Sequence, residues 1–207
     1  ISAGQASFTY THSATGCSSL TPITVTVNPK PIVSILGSTT ICIGNTTTLS
    51  PSTGGTWASN NTNVATVTNS GLVTGINQGS ARFYFTDNNT GCVSNLTAPV
   101  VVNPQPTVLF TGPQNICIGS STTLSPSSGG TWSSSNVGVA TVSNAGIITA
   151  IAQGSATFTF TDASTGCISN PTDELTVNNA IDVAITGPSN ICMGYTTTLS
   201  PSTGGLW

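Results

Sequence analysis

The chain has 207 residues, and only 3% of them are charged: Lys30 and Arg82 are the bases, set against five acids, for a net charge of −3. So weak a field steers neither nucleic acid nor anionic membrane, and no apolar run reaches the roughly 18–20 residues of a membrane-spanning helix. The hydrophobic fraction of 37% is too high for a disordered chain.

Ile1-Ser2-Ala3-Gly4 carries no basic or apolar leader pattern, so the chain reads as a window onto a longer molecule. In chain order, residues 1–29 read as the end of one domain and residues 30–104 as a complete one. Within 30–104 a first strand is predicted over about 32–36, with a kinked continuation to Ile43. A second covers 46–50, and a third starts at Gly55 and contains Trp57. A fourth runs from Val64 to Thr68, and Asn69-Ser70-Gly71 supplies the following turn. The fifth spans Leu72 to Ile76. The sixth, Ala81 to Thr86, sets Phe83 and Phe85 on one face. After a turn at Asn88-Asn89-Thr90-Gly91, a seventh strand runs from about Cys92 and ends at Val100 to Asn103. Pro, Gly and β-branched residues interrupt every candidate helix.

The same text then returns. Cys17, Cys92 and Cys167 are 75 residues apart, as are Cys42, Cys117 and Cys192, and Trp57, Trp132 and Trp207. Ile41-Cys42-Ile43-Gly44 recurs at Ile116 and, with Met193, at Ile191. Thr90-Gly91-Cys92 recurs at Thr15 and Thr165. The predicted organisation is the C-terminal part of a domain (1–29), two complete domains (30–104 and 105–179) and the N-terminal part of another (180–207). Asn28-Pro29-Lys30-Pro31 and Asn103-Pro104-Gln105-Pro106 form short stiff joints, whereas Asn178-Asn179-Ala180-Ile181 lacks proline. Short strands at regular spacing, with Trp57 and Trp132 on the third strand, predict an all-β fold: tandem seven-stranded immunoglobulin-like β-sandwiches. Trp57, Trp132, Phe83, Phe85, Phe158 and Phe160 are the expected core.

The run Gly55-Thr56-Trp57-Ala58-Ser59-Asn60, then Val64-Ala65-Thr66-Val67, Gly71-Leu72-Val73-Thr74-Gly75 and Gly79-Ser80-Ala81, resembles the bacterial immunoglobulin-like domain of group 2. The second repeat matches it through Trp132-Ser133-Ser134-Ser135-Asn136 and Gly146-Ile147-Ile148-Thr149, with Ala150 in place of the last Gly. The added Ile-Cys-x-Gly and Thr-Gly-Cys elements resemble repeats of long surface proteins of gliding Bacteroidota, among them the flavobacterial gliding-motility adhesin. That resemblance implies export by type IX secretion and a place on the cell surface.

Six cysteines raise the question of metal, catalysis or disulfides. Zinc ligands lie close in sequence with His nearby, but Cys17 and Cys42 are 25 residues apart and His12 is the only histidine. Two cysteines per repeat in a secreted β-protein point to disulfides. Cys42 lies in the turn after the first strand and Cys92 opens the seventh. Two extended runs of that length span about 35 Å each, against the ~7 Å between Cα atoms that a disulfide allows. Two pairings stay open: an inter-domain staple Cys42–Cys167, slightly favoured, and intradomain bonds Cys42–Cys92 and Cys117–Cys167. In the staple pattern Cys117 pairs beyond residue 207, and Cys92 with a residue before Ile1.

Catalysis needs poised acids and bases. His12 aligns with Asp87 and Asp162 in a turn, and Asp173-Glu174 has no counterpart in the other repeats. No catalytic, cofactor or metal residue is expected. Acid-poor joints do not suit calcium. The expected function is therefore a structural stalk of an extracellular filament or adhesin that projects a binding tip. Its expected partners are neighbouring repeats, laterally paired chains and surface glycans reached through a tip outside this segment. The competing reading is a polysaccharide-binding module or the accessory array of a secreted enzyme, which requires aromatic side chains on a solvent face. Asn45-Thr46-Thr47, Asn88-Asn89-Thr90 and Asn95-Leu96-Thr97 match the N-glycosylation sequon, a pattern of little weight in a bacterial product.

Overall fold

The computed structural model describes residues 2–206, and every regular element among them is a β-strand. The chain forms two compact units, 1–105 and 106–207.

The first unit opens with a hairpin, β1 (Gly4–Phe8) and β2 (Ile23–Val27), paired from Gly4↔Val27 to Phe8↔Ile23. A sandwich follows: β3 (Ser34–Ile35), β4 (Thr40–Cys42), β5 (Thr46–Ser50), β6 (Gly55–Ser59), β7 (Ala65–Val67), β8 (Leu72–Gly75), β9 (Gly79–Ala81), β10 (Phe83–Asp87) and β11 (Val100–Asn103). One sheet has the order β3-β5-β8-β7. Facing it are β4-β11-β9 and the pair β10-β6. The second unit repeats this with β12 (Leu109–Phe110), β13 (Asn115–Cys117), β14 (Ser121–Ser125), β15 (Gly130–Ser134), β16 (Ala140–Val142), β17 (Ile147–Ala150), β18 (Gly154–Ala156), β19 (Phe158–Asp162) and β20 (Leu175–Asn178). It ends in the short pair β21 (Ala184–Ile185) and β22 (Leu199–Ser200).

Alternation places the core. Along β5, Thr47 and Leu49 point inward while Thr46 and Thr48 face solvent, as a period of two requires. Leu49, Trp57, Val73, Phe83, Phe85, Val100 and Val102 close the first core, and Leu124, Trp132, Ile148, Phe158, Phe160, Leu175 and Val177 the second. The Trp57 and Phe85 rings meet edge-on at 5.2 Å, and Trp57 Nε1 donates to the Pro51 carbonyl at 2.8 Å, so the indole is buried with its polar atom satisfied. Trp132 repeats this with Phe160 and Pro126. Trp207 lies outside the described residues.

The strands differ from the sequence expectation in three places. The first predicted strand breaks into β3 and β4, which join opposite sheets. The sixth starts at Gly79 and breaks at Arg82, whose N–H donates to Asn60 Oδ1 (2.8 Å) and whose carbonyl accepts from the Asn60 N–H (2.9 Å). The seventh forms a ladder only over Val100–Asn103. Upstream, an isolated bridge Thr86↔Val93 is followed by an irregular stretch. There the side chains stand in for the ladder. Phe83 N–H donates to Thr97 Oγ1 (3.1 Å) and Phe85 N–H to Ser94 Oγ (2.9 Å), while the Thr97 and Ser94 N–H groups donate back to the Phe83 and Phe85 carbonyls.

Candidate functional site

The cysteines are the reactive groups that recur in every repeat, and the fold separates the two of each sandwich. β4 runs parallel to β11 with Cys42 opposite Asn103, and the Ile43 N–H donates to the Asn103 carbonyl at 3.0 Å. Cys42 therefore sits where the chain leaves the sandwich. The turn beyond it closes through Asn45 N–H to the Cys42 carbonyl, with Gly44 at φ +84°.

Cys92 lies at the opposite end, past the β10 turn. Asp87 Oδ1 accepts from the Asn89 N–H (3.0 Å), the Thr90 N–H (2.8 Å) and Thr90 Oγ1 (2.9 Å). Gly91, at φ +69°, lets its N–H reach the Asp87 carbonyl, and the Asp87 N–H donates to the Cys92 carbonyl. The incoming chain reaches this end too, where Lys30 Nζ donates to Asn95 Oδ1 at 3.0 Å.

The second sandwich follows the same plan. Cys117 opposes Asn178 where the chain leaves, and Cys167 follows the Asp162 turn. Cys42 and Cys167 are each disulfide-bonded, and Cys167 is fully buried. Cys17, Cys92, Cys117 and Cys192 are free thiols.

Donors crowding the turn carboxylates hold them ionised. Thr90, through its N–H and then its hydroxyl, draws the Asp87 pKa below 3.8. The Ser164 hydroxyl, then the Thr165 N–H and hydroxyl, bring Asp162 to about 2. His12 occupies the same turn position. Its N–H donates to the Cys17 carbonyl at 2.9 Å, and its Nδ1 lies 3.2 Å from Thr15 Oγ1. Asp173 and Glu174 are exposed. Among the described residues, no group of three or more His, Cys, Asp or Glu side chains gathers as a metal site, and no helix is long and apolar enough to cross a membrane.

Between residues 30 and 179 no aromatic side chain is fully exposed, and Tyr84 and Phe110 are half-buried. The Asn95-Leu96-Thr97 sequon has its Thr97 hydroxyl buried and engaged with the Phe83 N–H and the Ala98 carbonyl. Sequence reading missed the Ser94/Thr97 and Ser169/Thr172 latches. Their signal is a hydroxyl residue two and five positions after the cysteine in both complete repeats.

The family described as bacterial Ig-like domain (group 2) matches residues 20–98 and 118–167, more than half of the chain. The chain belongs to that family. The second bacterial Ig-like match begins just after Cys117 and ends at Cys167. No curated protein matches the chain in sequence. Among solved structures, the S-layer protein rSbsC(31-844) is similar at 17% identity, over 83% of this chain and 32% of that one, with a TM-score of 0.30. Invasin, described as a bacterial integrin-binding protein, is similar at 16% identity over 90% and 47%, with a TM-score of 0.43. A C-terminal 282-residue fragment of intimin, solved in complex with the intimin-binding domain of the translocated intimin receptor, is similar at 12% identity over 77% and 67%, with a TM-score of 0.43. The chain thus spans about a third to a half of the first two.

Proposed function

We propose that this chain is a length of extracellular stalk in a bacterial surface protein, built of 75-residue sandwiches with boundaries near residues 29, 104 and 179 and stapled at each joint. The staple is Cys42–Cys167. One observation supports the reading: Cys42 and Cys167 are each disulfide-bonded, whereas Cys92 and Cys117, their intradomain candidates, are free thiols at the far ends of their sandwiches. Cys42 stands where the chain leaves one sandwich, and Cys167 stands at the entrance of the next. A bond there resists bending and pulling at the joint. Few charges along the stalk limit non-specific attachment.

Non-reducing peptic mapping tests the staple: a peptide pair joining Cys42 to Cys167 is expected, and recovery of Cys42–Cys92 or Cys117–Cys167 defeats it. Immunogold labelling of intact cells with antibody to these repeats tests the stalk, and label confined to the cytoplasm defeats it. The finer reading, a gliding adhesin of Bacteroidota exported by type IX secretion, rests on the Ile-Cys-x-Gly and Thr-Gly-Cys resemblance. Normal spreading by a strain lacking the gene removes it.

A further inference from the structure

In each complete repeat β10 is hydrogen-bonded along both sides, whereas β6 is bonded along one. Main-chain groups alternate in direction along a strand. The Gly54 carbonyl accepts from the Asn88 N–H and the Asn60 N–H donates to the Arg82 carbonyl, both at 2.9 Å, so Thr56 and Ala58 between them also face β10. Gly55, Trp57 and Ser59 turn their N–H and carbonyl groups the other way, where β6 has no neighbour in its sheet. Those groups have no hydrogen-bond partner among the described residues. On β15 the same groups of Gly130, Trp132 and Ser134 point outward, because Gly129 and Ser135 bond across to Ala163 and Thr157.

Nothing guards this edge. Natural sheets keep edge strands short or give them a charge, a proline or a bulge, because a bare edge is a template for another strand. The edge strands β3, β4 and β7 have only two or three residues, but β6 and β15 have five. Their sequences, Gly-Thr-Trp-Ala-Ser and Gly-Thr-Trp-Ser-Ser, hold no charge and no proline, and each pairs with its neighbour in unbroken register. The two bases of the chain are engaged elsewhere: Arg82 Nη1 donates to the Thr97 carbonyl (3.4 Å) and Lys30 Nζ to Asn95 Oδ1 (3.0 Å).

We propose that β6 of one copy pairs antiparallel with β6 of a second copy, and β15 with β15, so that stalks associate side by side. The edge is self-complementary about Trp57: Trp57 faces Trp57, Gly55 faces Ser59 and Thr56 faces Ala58 across the junction. The outward groups of Gly55, Trp57 and Ser59 then supply about six main-chain hydrogen bonds to each pair of strands. Only small side chains meet on the outer surface, Thr56 with Ala58 at one edge and Thr131 with Ser133 at the other. With no charge on either edge, a second copy meets no repulsion, whereas a charged strand finds no counter-charge. Each copy carries two such edges, so association extends beyond a pair and gains from multivalency. The pairing adds a lateral partner to the stalk reading and is independent of the staple.

The 207-residue chain, its free thiols capped with iodoacetamide, is followed from dilute to concentrated solution by sedimentation and by hydrogen exchange resolved at Trp57 and Trp132. Masses rising in multiples of 20.7 kDa are expected, with both amides exchanging faster in the dilute chain than in the concentrated one. Thr56 and Thr131 are exposed, so lysine is accommodated at both. Thr56→Lys combined with Thr131→Lys weakens association about tenfold by setting like charges diagonally across each junction. Mixing that variant with one carrying Thr56→Glu and Thr131→Glu restores it. A 20.7 kDa monomer at every concentration, association that the two lysines leave unchanged, or equal protection of both amides in dilute and concentrated chain overturns the edge pairing. Each of these leaves the stalk reading standing, since immunogold labelling tests that separately.

Discussion

Two buried threonines of the first sandwich have opposite roles. Thr47 Oγ1 has no hydrogen-bond partner and lies where a Cβ on Gly37 would stand; Thr122 repeats this beside Gly112. Its hydroxyl is buried for nothing in return, so Thr47→Val is expected to be neutral or stabilising by up to about 1 kcal/mol. Thr97 instead takes the buried Phe83 N–H, and Thr97→Val leaves that donor orphaned at roughly 1–3 kcal/mol. Urea midpoints of the two isosteric variants separate the roles, and equal shifts would contradict both. Asp162 is a residue-scale switch of a different kind. Its folded pKa of about 2 lies below the model carboxylate value of 3.8, so its contribution is complete above 3.8 and is lost as pH falls through about 2. Carboxyl carbon shifts followed by NMR should show that depressed titration, and Ser164→Ala should raise it.

Elements meet closely where glycine allows it. Gly55 opens β6 against β10, and Gly55→Ala drives a methyl into the Thr86 carbonyl and Phe85 ring. This costs roughly 2–3 kcal/mol, read as a lower thermal midpoint. Gly75 on β8 differs: its added Cβ meets Val102 Cγ1 at 2.9 Å, yet the second repeat places Ala150 there, 3% exposed. Both positions keep the same backbone bonds, from Gly44 N–H to the Gly75 carbonyl and from Gly119 N–H to the Ala150 carbonyl. Gly75→Ala is therefore expected to stay within about 1 kcal/mol of the parent. The resemblance to group 2 domains, with Ala150 as its departure, was visible in the sequence. The space that decides whether each glycine is replaceable was not, because it is set by strands distant in the chain.

At the scale of the molecule, the proposed staple encloses residues 42 to 167. Pulled from its ends, the oxidised chain should withhold about 400 Å of contour that reduction releases, since an extended residue spans roughly 3.3–3.6 Å. Optical-trap traces with and without dithiothreitol check this, and equal contour lengths would contradict the bond. Reduction should also cost about 2–4 kcal/mol of unfolding free energy by loosening the constraint on the unfolded chain.

Several properties follow from the sequence by itself. The 75-residue period, the alternation of Thr47 and Leu49 against Thr46 and Thr48, and the turns at Gly71 and Gly91 define an all-β repeat, because they depend on local backbone preferences and on side-chain alternation along a strand. The tertiary structure decided the rest. It broke the first and sixth strands so that each serves two sheets. It replaced the start of the last ladder with the Ser94 and Thr97 hydroxyls. Identical cysteine spacing is compatible with bonds inside a domain or between domains. The parallel run of β4 beside β11 ties Cys42 to the departing end of the chain, because that register sets it opposite Asn103.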